Sequence, residues 1–337
     1  MKKFNEIFID KTKYGEKIQT SEYEKQGKHI IVDQGQAEIA GYTNREEGLF
    51  NEVPVIIFGD HTRLIKYIDE PFFLGADGVK VLRSKEKNAN YKYLYYALKS
   101  AKIPNTGYNR HFKWLKDVEI NYPDSVKQEK IVDILDRVSD VIEKRKAELS
   151  YLDTLIKARF VEMFGDPIRN TQNRPTTEFI NVVKMQRGFD LPVQDRQQDG
   201  EIPVYGSNGA LDYHNVAKIH GGVITGRSGT IGKVFYTEGD FWPLNTSLFS
   251  ADTHGNNVIY LGYLLQLFDL TRFVEGTGVP TLNRNMFHNK QIIDVPIDEQ
   301  RVFAAFVNEI DKSKSAVKKA LDETQLLFDS LMQEYFG

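Results

Sequence analysis

The stretch GRSGTIGKV, Gly226–Val234, comes nearest of any in the sequence to a chemical motif. A phosphate-cradling nucleotide loop has the form G-x4-G-K-[ST], in which the final hydroxyl reaches a metal ion. Here five residues separate Gly226 from Gly232, and Val234 follows Lys233, so both the spacing and the metal ligand fail. The same residues suit the tip of a strand–turn–strand unit that carries Arg227, Ser228, Thr230 and Lys233. A glycine-rich tip lets backbone approach a phosphate, and its arginine can make two hydrogen bonds to a guanine edge. A plain β-hairpin is the alternative. VIIFGDHTRLIKY (Val55–Tyr67) resembles this stretch at an offset of 167, Gly59 matching Gly226 and Lys66 matching Lys233, and it offers His61, Thr62, Arg63 and Lys66. Tyr108-Asn109-Arg110 resembles Leu282-Asn283-Arg284. Asn109, Arg110, His111, Asn283 and Arg284 are thus candidates for contacts to bases or phosphates, or else caps of their own loops.

Other chemistries are poorly supplied. The chain has no cysteine, which removes disulfides, thiolate nucleophiles and thiolate-bound zinc. Its seven histidines form no HExxH and no close cluster with carboxylates, so no metal site is expected. No two prolines are adjacent, which excludes the [DNS]-P-P-[YF] tetrapeptide that amino-methylating enzymes need. Most carboxylates fall on helix surfaces, where solvation is their usual role.

The elements that must position the candidates come from a repeat. Gln128–Gly165 and Gln300–Gly337 align without a gap at an offset of 172, down to the shared Phe-Gly ending. Neither segment contains proline, and a heptad runs through each. Its a and d positions are Ile131, Leu135, Val138, Ile142, Arg145, Leu149, Leu152, Ile156, Arg159 and Met163 in the first. In the second they are Phe303, Val307, Ile310, Lys314, Val317, Leu321, Thr324, Phe328, Leu331 and Tyr335. An apolar stripe of this length must be covered, and the simplest cover for each helix is the other. The polar members Arg145, Arg159, Lys314 and Thr324 are candidates for setting register or facing partners.

Before each helix lies a run rich in β-branched and aromatic residues punctuated by Gly and Asn, which predicts a mainly-β domain of about 120 residues, twice over. Tyr91–Ser100 and Val258–Phe268 suit single helices packed on a sheet, and VEINYP and IIDVP predict a short strand just before each long helix. The expected fold is α+β. Residues 1–124 form the first domain, 125–165 the first helix, 166–178 a polar linker, 179–297 the second domain and 298–337 the second helix. The helical offset holds to the residue while the domain offsets wander, because loops absorb insertions that a packed stripe cannot.

At 337 residues, 41% hydrophobic and 27% charged, the composition is that of a soluble globular protein. Neither a membrane-spanning run nor a signal peptide is evident, so a cytoplasmic location is expected. The net charge of −3 is not that of an autonomous nucleic-acid binder. Any DNA surface must come from local clustering or be shared with a basic partner.

Taken together, the chain resembles the specificity subunits of type I restriction–modification systems. The resemblance rests on the duplicated domain and helix, on the helix starts Gln128-Glu129-Lys130-Ile131 and Gln300-Arg301-Val302-Phe303, and on IPVYGSNG, GRSGTIGKVFY, GTGVPTLNRNMF and VPIDEQRVF. It covers essentially the whole chain, more strongly in the second half; IPNTGYNRHF and FGDHT depart from the pattern in the first. It implies a non-catalytic subunit with no cofactor of its own, whose two target-recognition domains each read one half of a split site on double-stranded DNA. It further implies helices packed as an antiparallel coiled coil, docking two adenine-methylating modification subunits and the restriction subunits. S-adenosylmethionine, ATP and magnesium would belong to those partners. An autonomous DNA-binding adaptor on the same duplicated scaffold is the competing reading.

Overall fold

A computed structural model describes residues 1–75, 77–197, 199–276 and 280–337. By contacts the chain divides into two units, residues 1–144 with 320–337 and residues 145–319, so each unit takes part of both long helices.

The first unit runs β1 (Lys2–Lys3), α1 (Phe4–Ile7), β2 (Phe8–Asp10), β3 (His29–Val32), β4 (Gly41–Thr43), β5 (Val55–Gly59), β6 (Ile65–Ile68), β7 (Phe72–Leu74), β8 (Val79–Ser84), α2 (Tyr91–Lys99), α3 (Phe112–Leu115) and β9 (Glu119–Ile120). One sheet has the order β2-β8-β5-β6 and another β4-β3-β7, in which β3 and β7 are parallel. The amphipathic helix α2 begins where Asn90 caps the Tyr93 N–H. Its buried side chains share a core with Phe4, Phe58, Leu82 and Leu115. The long helix α4 (Ser125–Phe164) follows. Its first half gives that core Ile131, Leu135 and Ile142, and the end of the last helix adds Phe328 and Met332.

The second unit repeats the plan with β10 (Thr176–Glu178), α5 (Phe179–Val182), β11 (Lys184–Arg187), β12 (Ile202–Gly206), β13 (Gly209–His214), β14 (Ile219–Gly226), β15 (Val234–Pro243), β16 (Ser247–Asp252), α6 (Val258–Phe268), β17 (Val274–Glu275), β18 (Thr281–Leu282), β19 (Gln291–Ile293) and α7 (Ile297–Phe336). Its sheet order is β11-β16-β14-β15-β12-β13. The long strand β15 does the work of both β6 and β7, pairing antiparallel with β14 and then parallel with β12. Strand pairing also closes each unit on itself, β1 with β9 and β10 with β19. Thr176–Glu178, assigned to the linker by sequence, is therefore already part of a sheet. The preceding turn is also fastened: Arg174 makes two hydrogen bonds to Glu299, at 2.9 and 2.7 Å, and a third to the Met163 carbonyl.

Every a and d position of the heptads is buried or half-buried, but Val132, Phe160, Phe164, Ala304 and Met332, outside those positions, are buried as well, so the covered stripe is wider than the heptad. In the second unit, contacts of Asp153 with Lys314, Arg159 with Phe306 and Phe160 with Phe303 climb one helix while descending the other, so these segments are antiparallel. The polar positions are satisfied. Lys314 Nζ lies 2.7 Å from Asp153, Arg159 donates to Glu162 at 2.7 Å, and Thr324 donates to the Ala320 carbonyl at 2.7 Å. Among the described residues no helix is long and apolar enough to cross a membrane.

Candidate nucleic-acid interface

In the first unit the turn after β5 meets the loop that precedes α3. Asp60, buried at the end of β5, holds the two together. Its carbonyl accepts the His111 backbone N–H at 2.8 Å and faces His111 Nδ1 at 3.0 Å, and its Oδ1 accepts the Phe112 N–H at 2.7 Å. A carbonyl can only accept, so Nδ1 carries the histidine proton. The Arg63 guanidinium donates to the Ile103 carbonyl at 3.3 Å, Asn109 donates to the Thr106 carbonyl at 2.5 Å, and the His61 ring stacks on Tyr108. Thr62 and Arg110 are exposed at the rim. Candidates some 50 residues apart in sequence thus share one surface.

Beside them lies a groove lined by Lys80, Arg110, Phe112, Lys113 and Lys116, with Asp60 at its base and Asp117 at its edge. Lys80 and Lys116 lie over the Phe112 ring at 5.0 and 4.8 Å, and Lys113 over Trp114 at 4.1 Å. The three ammonium groups thus lie over aromatic faces and line one groove. Such a groove suits an anionic backbone.

The second unit builds the equivalent place. The Arg227 and Ser228 backbone N–H groups both donate to the Thr246 carbonyl, at 2.9 and 3.2 Å, and the Arg227 carbonyl accepts the Leu282 N–H at 2.8 Å. Ser228 bridges to Thr281. Lys233 Nζ reaches Asn208 Oδ1 at 2.7 Å, Thr230 is exposed, and Asn283 Oδ1 caps the turn Arg284–Met286 through the Asn285 N–H at 3.1 Å. Gly226 is required here for space: a β-carbon on it would fall 1.8 Å from the Thr230 carbonyl oxygen. Thr277, Gly278 and Val279 of GTGVPTLNRNMF lie outside the described residues. Among the described residues no group of three or more His, Asp or Glu is placed to hold a metal ion.

The family described as the type I restriction modification DNA specificity domain matches residues 1–151 and again residues 170–324. The chain belongs to this family. A curated relative, the EcoR124I/EcoR124II specificity subunit of Escherichia coli, is 29% identical over 133 residues, 36% of this chain and 33% of that protein, so the match spans about a third of the relative's length. Among solved structures, the type I restriction–modification S subunit from M. genitalium superposes with a TM-score of 0.64 at 18% identity, covering 100% of this chain and 95% of that one. A chain from a study of complex assembly and conformational transition in a type I system gives 0.55 at 14% identity, covering 99% and 95%. At these identities the solved structures speak for the fold.

Within the two specificity domains the geometry revises several sequence expectations. Lys66 is not a surface contact. It is 7% exposed, and its amine donates to the Asp33 and Ala37 carbonyls at 2.8 and 2.5 Å, tying down the loop after β3. Burial lowers its pKa, only partly offset by Asp33. The match of Lys66 to Lys233 is also out of register, since Phe58 pairs with Ile65 in one domain and Thr225 with Val234 in the other. The turn is two residues longer in the second domain, and Lys233 is its last residue, immediately before β15. His111 is likewise internal, with no exposed surface of its own, and it positions the loop. Its backbone bond to Asp60 makes it the counterpart of Leu282, which bonds to Arg227; the match of Tyr108-Asn109-Arg110 to Leu282-Asn283-Arg284 is three residues out. Lys80, Lys113 and Lys116 were absent from the sequence-derived set. HFKWLKD, with lysines three apart among aromatics, was the signal that could have found two of them.

Two predictions arise here. Gly226→Ala should displace the Arg227–Thr230 tip and cost about 1–3 kcal/mol of discrimination at one half-site alone. Competition binding with duplexes altered in each half-site, by the chain with its modification subunits, measures this; equal loss at both halves contradicts it. The second prediction concerns His288, whose Nε2 accepts the Met185 N–H at 3.2 Å, which requires a neutral ring. Burial, then the Arg284 and Lys184 charges, hold its pKa below the usual 6.5. The unfolded chain therefore takes up the proton first as the pH falls. The neutral ring's contribution is complete above the unfolded value and is lost from there down towards the folded one. Thermal melts between about pH 7.5 and about pH 5.5 should show a smaller fall for His288→Gln than for the wild type.

Proposed function

We propose that the chain is the DNA sequence-specificity subunit of a type I restriction–modification complex, non-catalytic itself, each domain reading one half of a bipartite asymmetric site. The observation that carries this reading is the repeated surface, in which the turn after β5 or β14 is hydrogen-bonded to a second loop; in the first domain the turn bears Arg63 and the loop Arg110, and in the second the turn bears Arg227 and Lys233. The two domains offer different side chains on the same frame, as reading two different half-sites requires. The helices α4 and α7 would set the half-site spacing and dock two modification subunits, with restriction subunits completing the nuclease. Outward apolar side chains such as Tyr151, 74% exposed, and Leu327, 51% exposed, are what such docking needs. S-adenosylmethionine, ATP and magnesium would be held by those partners.

A net charge of −3 fits shared rather than autonomous DNA binding. The purified chain should bind duplex DNA weakly alone and sequence-specifically once modification subunits are added. Sequence-blind binding of equal strength in both conditions would overturn the reading; specific binding by the chain alone would favour an autonomous adaptor.

A further inference from the structure

We propose that Tyr108 reads the 5-methyl group of a thymine in the half-site bound by the first domain, with His61 as its backing plate. The inference rests on the DNA-specificity reading above and adds a residue and a chemical feature of the substrate to it. Tyr108 is 87% exposed at the crest of its loop. Its ring lies parallel to that of His61, with centroids 4.7 Å apart and planes at 9°. The support is fixed from several sides. The His61 N–H donates to Gln34 Oε1 at 3.2 Å, and the Gln34 amide donates to the Asp77 carbonyl at 3.0 Å. The loop itself turns at Gly107, whose φ of +76° favours glycine, and is tied down by Asn109 and by the Asp60–His111 bonds.

An exposed ring stacked on a neighbour in a hydrogen-bonded loop is a partly preordered platform, which lowers the side-chain entropy lost on contact. The stack on His61 occupies one face. Insertion between base pairs needs both faces, so the geometry disfavours a wedge. One free face suits an apolar group projecting into the major groove, and the thymine methyl is the group a base pair offers there. Arg110, two residues on, lines the groove with Lys80, Lys113 and Lys116, so a backbone held by these cations would run beside the platform. That continuity favours DNA over a protein partner as the occupant.

The test uses the full chain assembled with its modification subunits and a duplex carrying the site mapped from methylated adenines. Each thymine in turn is replaced by deoxyuridine, which lacks only the methyl. One position, or adjacent positions in a single half-site, should weaken wild-type binding about fourfold, the worth of one buried methyl. The same replacement should have no effect on Tyr108→Ala, while Tyr108→Phe should behave as the wild type. Identical responses of wild type and Tyr108→Ala at every thymine overturn the proposal, as does a uniform loss on all duplexes from impaired assembly. If the wild-type complex does not prefer the mapped site to a scrambled duplex, the specificity reading itself falls, and this inference with it. An unchanged melting temperature for Tyr108→Ala excludes loss of fold.

Discussion

Phe303→Ala is expected to destabilise the fold by about 3–5 kcal/mol, the usual cost of emptying a large aromatic site in a packed core. Phe303 lies on the first turns of α7 and has no exposed surface. Its ring meets Phe160 at 5.4 Å, Phe164 at 5.7 Å and Tyr263 at 5.5 Å, each edge-on, so four aromatic rings from three helices lock together. Leu327→Ala is the control, and it should change stability by less than about 0.5 kcal/mol. Leu327 matches Leu155 at the repeat offset of 172, yet the two are 51% and 45% exposed. Urea denaturation of both variants separates identity within the repeat from burial in the core. A small effect at Phe303 would mean that the helix is not anchored as described.

That contrast shows what the sequence made legible. A period of 3.5 residues is set by the stripe a helix must bury, so both long helices could be read without coordinates, but the register missed buried residues beside it, Val132, Phe160, Phe164, Ala304 and Met332. The two sheets were legible only as mainly-β runs, because pairing depends on partners far away in sequence. Nothing in the order of residues says that β15 replaces two strands of the first domain, or that β3 and β7 are parallel. The candidate site was legible where a residue type and a turn coincide, as at Arg227, Ser228 and Thr230. It was illegible wherever burial reverses a residue's ordinary role. Lys66 and His111 look like contacts in one dimension, but their polar atoms are taken up by Asp33 and Ala37, and by Asp60 and Thr106. Lys80 was missed for the opposite reason. It lies on β8, and only the packing of α3 beside that strand brings it to the groove with Lys113 and Lys116.

Replacing those three lysines together, Lys80→Gln with Lys113→Gln and Lys116→Gln, should reduce the salt dependence of DNA binding by the assembled complex. Each phosphate contact releases condensed counterions and adds about 0.9 to the slope of log K against log salt. Loss of three contacts should lower that slope by about 2 to 3, with affinity falling most steeply at low salt. Discrimination between bases should be nearly unchanged, since contacts to the backbone position a protein without reading sequence. Stability should fall by about 1–3 kcal/mol, because the three ammonium groups lie over the Phe112 and Trp114 rings and each such contact is worth about 0.5–1 kcal/mol. Among the described residues, only Lys80 of the three has an ion-pair partner, Asp10 at 3.6 Å. Exposed pairs of this kind contribute about 0–1 kcal/mol. Binding isotherms at several salt concentrations, on the mapped site and on a scrambled duplex, give both the slope and the discrimination. An unchanged slope would remove the groove from the DNA path. A lost preference between the two duplexes, at an unchanged slope, would make these lysines readers of bases.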